Sequence, residues 1–306
     1  MQTRIAVIGV GHLGQHHARI LAAMPQADLV AVVDTKPGRA AEIAARHATA
    51  ALTDAAALIG QVDAVTIATP TISHLDVALP FIEAGAAVLV EKPLAASLGE
   101  ADRLVAAAAA RGILLATGHT ERFNPAVAEA MPLVSSPRFI EIHRLGTFPE
   151  RSLDIDVIFD LMIHDLDILL ALVRSEVTSV EAVGVNVLTP RIDIANARLR
   201  FASGCIANVT ASRISRDRVR KARFFQHDAY VSIDYAAQEL EVYRLVPQNG
   251  GRPTIQGGRV DIARDEPLRR ELLDFVEAVQ QRRPAVVTGQ DGRAALALAA
   301  RVAEVM

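Results

Sequence analysis

The sequence predicts an α/β protein: an N-terminal doubly wound parallel sheet, followed by a C-terminal α+β domain with a large open, mainly antiparallel sheet. Three observations predict it. From residue 4 to about 116, short uniformly apolar runs alternate with alanine-rich stretches of helical period. A glycine-rich turn joins the first run to the first helical stretch. After residue 125 the pattern changes to alternating strands joined by turns. The expected division is 1–118 and 119–306, with the last helix packing back on the first domain.

In the first half, residues 4–8, 28–33, 64–68, 86–90 and 113–116 are short and apolar throughout, as strands buried on both faces are. Between them, 12–24, 38–48, 74–83 and 99–110 repeat at about 3.6 residues, and βαβα alternation builds a parallel sheet. Gly85 falls where a helix would end, and Ser97 precedes Glu100 at capping-box spacing. In the second half, 137–145, 177–188, 194–201, 205–212, 220–226, 230–235 and 240–245 read as strands. A helix over 156–173 interrupts them, and helices over 267–281 and 290–305 end the chain.

Composition narrows the function. The chain has 306 residues, 51% hydrophobic and 22% charged, with a formal net charge of −3 and one cysteine. Cys205 alone cannot form a disulfide framework or a four-cysteine zinc site, which suits a reducing, cytoplasmic compartment, and in a strand it reads as a small buried residue. No apolar run approaches the roughly 20 residues that span a bilayer, and a strand beginning at Arg4 leaves no room for a secretory leader. No histidine has metal-ligand spacing, so no metal is expected. The near-neutral charge argues against nucleic acid. The basic run 213–223 lacks interleaved aromatics and reads as a solvated hairpin or a subunit contact.

The first strand runs into Gly9-Val-Gly-His-Leu-Gly14, a GxGxxG turn that opens a helix. Gly9 permits the tight turn, Gly11 lets backbone approach a pyrophosphate, and Gly14 allows close helix–strand packing. Asp34, at the end of the second strand and 20 residues beyond Gly14, suits a ribose diol. This is the pattern of a Rossmann dinucleotide site. Asp34 favours NAD over NADP by repelling a 2′-phosphate, although Lys36 and Arg39 could each pair with one.

The third strand ends in Ala68-Thr-Pro-Thr-Ile-Ser-His74 and the fourth in Val90-Glu-Lys-Pro93, and Asp160-Leu-Met-Ile-His164-Asp165 follows later. With the glycine turn, these segments resemble the glucose-fructose oxidoreductase and inositol dehydrogenase family (Gfo/Idh/MocA) over essentially the whole chain. The resemblance implies a cofactor set of Gly9, Gly11, His12, Leu13, Gly14, Asp34, Thr35, Thr69, Pro70, His74, Glu91 and Lys92. It places Lys92 beside the nicotinamide and the reacting hydroxyl, with a cis peptide before Pro93. The chemistry agrees: an ammonium at the carboxyl end of a parallel strand can stabilise developing alkoxide character. Asp160 and His164, four apart on a helix, share one face. Histidine ordinarily titrates at about 6.5 and suits removal of a hydroxyl proton, so His164 is the expected base with Asp160 assisting. A capping aspartate and a core histidine is the alternative. Asp165 and Asp167 turn off that face and read as solvent-facing or structural.

The segments 118–126, 143–145, 151–156 and 159–167 are more specific, and resemble the branch that oxidises the 3-hydroxyl of UDP-N-acetylglucosamine. That branch implies a nucleotide-sugar substrate, a homodimer or homotetramer formed through the second sheet, and an aminotransferase acting on the ketone for cell-envelope glycans. Pyrophosphate calls for cationic forks. Arg122, Arg144 and Arg151 are candidates, with His119, Glu121 and Asn124 for sugar hydroxyls; arginine pairing with Glu121 or Asp154 is the structural alternative. An inositol or other sugar dehydrogenase of the family, and a non-catalytic NAD-binding sensor, remain open.

Overall fold

The computed structural model describes residues 2–148, 155–248 and 252–306. The chain forms two compact units, one of 1–120 with 268–296 and one of 121–267 with 297–306. The chain enters the second unit at residue 121 and returns to the first over 268–296.

The first unit holds a six-stranded parallel sheet of β1 (Thr3–Ile8), β2 (Ala27–Val33), β3 (Ala50–Leu52), β4 (Ala64–Ile67), β5 (Ala87–Glu91) and β6 (Leu115–Gly118). Their order, β3-β2-β1-β4-β5-β6, is that of a dinucleotide-binding doubly wound sheet. β4, β5 and β6 are buried at every position, as strands covered on both faces must be. The connecting helices are α1 (Gly14–Ala22), α2 (Pro37–His47), α3 (His74–Glu83) and α4 (Leu98–Arg111). Ser97 caps α4 by accepting the Glu100 N–H, and Gly112, at φ +63°, ends it in the left-handed conformation. The return is made by α7 (Pro267–Gln281), whose Leu272, Phe275 and Val276 share one core with Ile5, Val7 and Leu21. α8 (Gly289–Glu304) starts in this unit and ends in the other.

The second unit is an eight-stranded sheet. Its strands are β7 (Phe139–Leu145), β8 (Val177–Val185), β9 (Ile194–Phe201), β10 (Ile206–Ser212), β11 (Val219–Phe225), β12 (Ala229–Asp234), β13 (Glu239–Val246) and β14 (Thr254–Val260). They lie in the order β14-β13-β12-β11-β7-β10-β9-β8. All neighbours are antiparallel except β7 and β10, which run parallel, so the sheet is mixed. Burial alternates along β7, β9, β10 and β11, leaving one face open. The inward residues of β9 and β10 are mostly alanine, valine and leucine.

Two strands escape the sequence reading. β3 is three residues with no buried position. β14 contains Gly257 and Gly258 at φ +139° and +150°, and a Cβ on Gly257 would meet the Val242 carbonyl oxygen at 1.9 Å. The helix expected over 156–173 is also corrected. It begins as a π-helical turn, Ile158–Met162, which packs on β10, and becomes α6 (Ile163–Val173) only afterwards.

Candidate active site

In the first unit the glycine turn is shaped as its spacing requires. Gly9 lies at φ +83°, and a Cβ there would sit 2.8 Å from the Ala68 carbonyl; a Cβ on Gly14 would lie 1.8 Å from the Gly9 oxygen. Nothing lies within 4 Å of the same position on Gly11, which leaves bare backbone beside the start of α1. A dinucleotide pyrophosphate fits such a cradle. Asp34 Oδ2 accepts the Val10 N–H at 3.2 Å and Oδ1 the Lys36 N–H at 2.9 Å, so the carboxylate at the end of β2 is fixed against the turn. His12, Leu13 and Thr35 are exposed around it. Arg39 bends onto the same turn. Its Nε donates to the Val10 oxygen at 2.8 Å, and its remaining nitrogens to Gln15, Gly11 and Glu42.

Lys92 follows β5, half-buried, and the Lys92–Pro93 peptide is cis. Two residues offered to the cofactor from sequence, Glu91 and His74, are buried and bonded within the unit. Glu91 is buried, with Oε1 2.9 Å from His17 Nε2 and Oε2 accepting the Lys92 N–H at 3.3 Å. Burial alone would raise its pKa, but His17 and the Lys92 charge outweigh that and hold it below the ordinary carboxylate range. The carboxylate fits because position 118 is glycine; a Cβ there would meet Glu91 Oε2 at 2.9 Å. His74 is likewise buried, its Nδ1 2.9 Å from the Pro93 oxygen and its Nε2 3.0 Å from the Thr69 oxygen. It braces the turn after β4 against the turn after β5, and burial pushes its pKa down. Thr69 is half-buried and Pro70 exposed. His119, offered to substrate from sequence, is buried in this unit.

In the second unit Asp160 lies within the π-turn and His164 in the first turn of α6, both half-buried. π-turns are rare and concentrate at functional positions. Asp165 and Asp167 turn inward. Asp165, fully buried, accepts a bidentate pair from Arg144 Nε and Nη2 at 2.8 and 2.9 Å, while Arg144 Nη1 reaches Glu121 at 2.9 Å. Arg122 grips Asp167 in the same way, at 2.8 and 3.3 Å. Asn124 caps the short helix α5 (Pro125–Ala130) by accepting the Ala126 N–H, and donates to the Tyr235 oxygen at 2.9 Å. The sequence offered Arg122, Arg144, Glu121 and Asn124 to a nucleotide sugar; the structure engages all four inside the unit. Arg151 lies outside the described residues. Three cations of the basic run have acidic partners: Arg213 pairs with Asp193, Lys221 with Asp234 and Arg223 with Glu141.

Sequence reasoning missed His17 and the partners of Asp165 and Asp167; of the two readings given to those aspartates, solvent-facing or structural, the structural one holds. No local pattern marks them, because their partners lie 74, 21 and 45 residues away. Among the described residues, no group of three His, Cys, Asp or Glu is placed to hold a metal ion, and no helix is long and apolar enough to cross a membrane.

A parallel sheet in this order, with a bare-backbone glycine turn and an acid closing the second strand, defines a dinucleotide-binding Rossmann domain. The comparisons make the class specific. Residues 3–119 match the Gfo/Idh/MocA profile described as an oxidoreductase family with an NAD-binding Rossmann fold, and residues 140–231 match the C-terminal domain of the same proteins. The chain is 42% identical over 304 residues to UDP-N-acetylglucosamine 3-dehydrogenase of Acidithiobacillus ferrooxidans, covering 98% of this chain and 96% of that one. A solved structure of that enzyme superposes with a TM-score of 0.93 at 40% identity, covering 100% of this chain and 98% of the other. The scyllo-inositol 2-dehydrogenase (NAD(+)) of Bacillus subtilis is 29% identical over 95% of this chain and 90% of its own. The chain belongs to the Gfo/Idh/MocA family of oxidoreductases.

Proposed function

We propose that this oxidoreductase uses NAD to oxidise the 3-hydroxyl of UDP-N-acetylglucosamine to the ketone. One observation carries the reading: 42% identity, sustained over 98% of the chain, to an enzyme named for that reaction. The inositol dehydrogenases stand further off, at 29% for the Bacillus subtilis protein. Lysine, aspartate and histidine all stand at 92, 160 and 164, which favours an enzyme over a silent NAD-binding sensor.

When bound, the nicotinamide supplies the hydride acceptor. Lys92 places an ammonium at the end of a parallel strand, where it stabilises the charge developing on the sugar oxygen as hydride leaves carbon. His164 takes the hydroxyl proton, and Asp160 supports the charge the imidazole then carries. Two features support NAD over NADP. Asp34 sets a fixed carboxylate at the end of β2, which a 2′-phosphate would have to oppose, and Arg39 already binds Glu42, Gln15 and two backbone oxygens of the glycine turn. The open face of the second sheet carries Phe139, Phe225, Tyr230 and Tyr243, with successive ring centroids 5.7, 5.2 and 6.2 Å apart. It is the surface through which copies of the chain would associate. A 3-keto sugar nucleotide is a substrate for transamination, and an aminotransferase is the partner reaction.

The test follows nicotinamide reduction with UDP-N-acetylglucosamine and NAD while the ketone is removed. Turnover is expected, falling by about 10²–10³-fold in Lys92→Ala with the fold intact. Turnover of inositol or a free hexose but not of the sugar nucleotide would refute the substrate, and a full rate in Lys92→Ala would refute the role of the lysine.

A further inference from the structure

We propose that Asp193 and Arg213 form a buried buckle that positions Asp160, setting the π-turn on which that aspartate sits. The role of Asp160 rests on the function proposed above; the buckle itself rests on geometry. Asp193 is fully buried at the end of the β8–β9 connection and gathers the loop around its carboxylate. Oδ2 accepts the backbone N–H groups of Val187, Leu188 and Thr189 at 2.9, 2.7 and 2.9 Å, and Oδ1 accepts the Thr189 hydroxyl at 2.8 Å. Arg213, buried at the end of β10, donates from Nε to the same Oδ1 at 2.8 Å. Burial opposes the charge on Asp193, but the N–H groups of Leu188 and Thr189 and the Arg213 guanidinium outweigh it and hold the carboxyl well below its ordinary range.

The fork has a second target. Arg213 Nη1 donates to the Ile155 oxygen at 2.6 Å, three residues before the start of the π-turn. The loop that Asp193 organises holds the same stretch from its other side. Ile192 N–H donates to Asp156 Oδ1 at 2.9 Å, and the Ile192 oxygen accepts the Val157 N–H at 3.0 Å. The Asp156 carbonyl in turn accepts the N–H groups of Phe159 and of Asp160, both at 3.1 Å. Residues 155, 156 and 157 are therefore fixed by the buckle on one side and carry the backbone of Asp160 on the other.

A π-turn needs such an anchor. The wider turn is rare and interrupts the regular α-helical ladder that follows it, so contacts from outside the helix must select it. A planar guanidinium can meet a carboxylate and a carbonyl at once, whereas a lysine ammonium is a point charge on a flexible stem. Arg213 belongs to the basic run at 213–223, and its burial inside the unit separates it from the partly or fully exposed cations that follow.

The experiment measures kcat and KM in the full-length enzyme for Arg213→Met, Arg213→Lys, Asp160→Asn and the Asp160→Asn/Arg213→Met pair, with UDP-N-acetylglucosamine and NAD. Arg213→Met is expected to lower kcat about tenfold or more with KM for NAD within about twofold, and Arg213→Lys to fall between it and the parent. In the Asp160→Asn background, Arg213→Met is expected to lower kcat no further, because the buckle acts through a carboxylate already removed. Equal losses in both backgrounds, or an unchanged kcat in Arg213→Met where Asp160→Asn is impaired, overturn the buckle alone. An unchanged kcat in Asp160→Asn overturns the reading of Asp160 and the buckle's purpose with it. Should Arg213→Met fail to fold, the same cycle is run with Asp193→Asn, which keeps the shape of the side chain and removes its charge.

Discussion

Replacing Arg144 by methionine tests how the second unit holds its interior charges. Arg144 is 3% exposed and Asp165 is fully buried. The guanidinium makes two bonds to Asp165 and one to Glu121, all between 2.8 and 2.9 Å, and lies 5.4 Å over the Tyr235 ring. Burial raises the pKa of Asp165, with Arg144 only partly drawing it back. The pair is therefore retained against a desolvation cost, and removing its cation alone exposes that cost. A buried pair broken on one side loses about 3–5 kcal/mol. Asp165 carries most of the loss, since the Glu121 side chain retains 16% exposure and can turn to water. We expect about 4 kcal/mol for Arg144→Met, and recovery of much of it in Arg144→Met/Asp165→Leu, which leaves no charge unpaired there. All three tyrosines, at 230, 235 and 243, lie in this unit and the chain has no tryptophan, so tyrosine fluorescence in urea reports its unfolding. The deficit also has a sign in pH. An orphaned Asp165 has a folded pKa above its unfolded value of about 3.9, so the variant is least handicapped below that value and loses stability as pH rises. A loss below about 1 kcal/mol, or a double variant no firmer than the single one, would refute the reasoning.

Other expectations follow from the same geometry. Gly14→Ala places a Cβ 1.8 Å from the Gly9 oxygen, and should both weaken NADH binding and lower stability by about 1–3 kcal/mol; Gly11→Ala meets nothing and should weaken binding while leaving the melting temperature in place. If both variants lose stability equally, the bare backbone at Gly11 has another purpose. His74 is held neutral by burial, so the unfolded chain takes up a proton there before the folded chain does, and stability should fall as pH drops below about 6.5. His74→Gln should lessen that slope in calorimetry between neutral pH and pH 5. Cys205 is buried and its thiol is pushed up to about 11; it should resist a thiol reagent in the native enzyme and react in urea, and rapid native labelling would contradict its placement.

How much was legible depends on where each signal resides. The first sheet could be read because strands covered on both faces are apolar at every position, and because three glycines and one acid stand at fixed spacing on consecutive elements. β3 and β14 were not legible, since an edge strand needs few buried side chains, and the glycines of β14 spell a turn in any local reading. Lys92, Asp160 and His164 stood out through the motifs around them. The interior ion pairs did not. Arg122 and Arg144 carry the same local signature as arginines offered to a pyrophosphate, and only the tertiary fold brings Asp167 and Asp165 to them.

The π-turn is the sharper case. An apolar period of 3.6 over 156–173 describes α6 well and is silent about the extra residue at its start, because one added residue leaves the apolar stripe intact on either side. What specifies the turn lies 30 to 60 residues away, in Asp193 and Arg213 and the loop between β8 and β9. A helix of regular geometry would bring Asp160 and His164 to one face by spacing alone. Here their relation depends on a buried carboxylate elsewhere in the unit, so acid should reach it at a distance. Asp193 has a folded pKa below its unfolded one, and the stability it contributes is present above about pH 4 and lost as pH falls towards its folded value. The acid limb of unfolding by tyrosine fluorescence should accordingly flatten in Asp193→Asn. An acid limb unchanged by that substitution would mean that the buckle does not hold the turn through its charge.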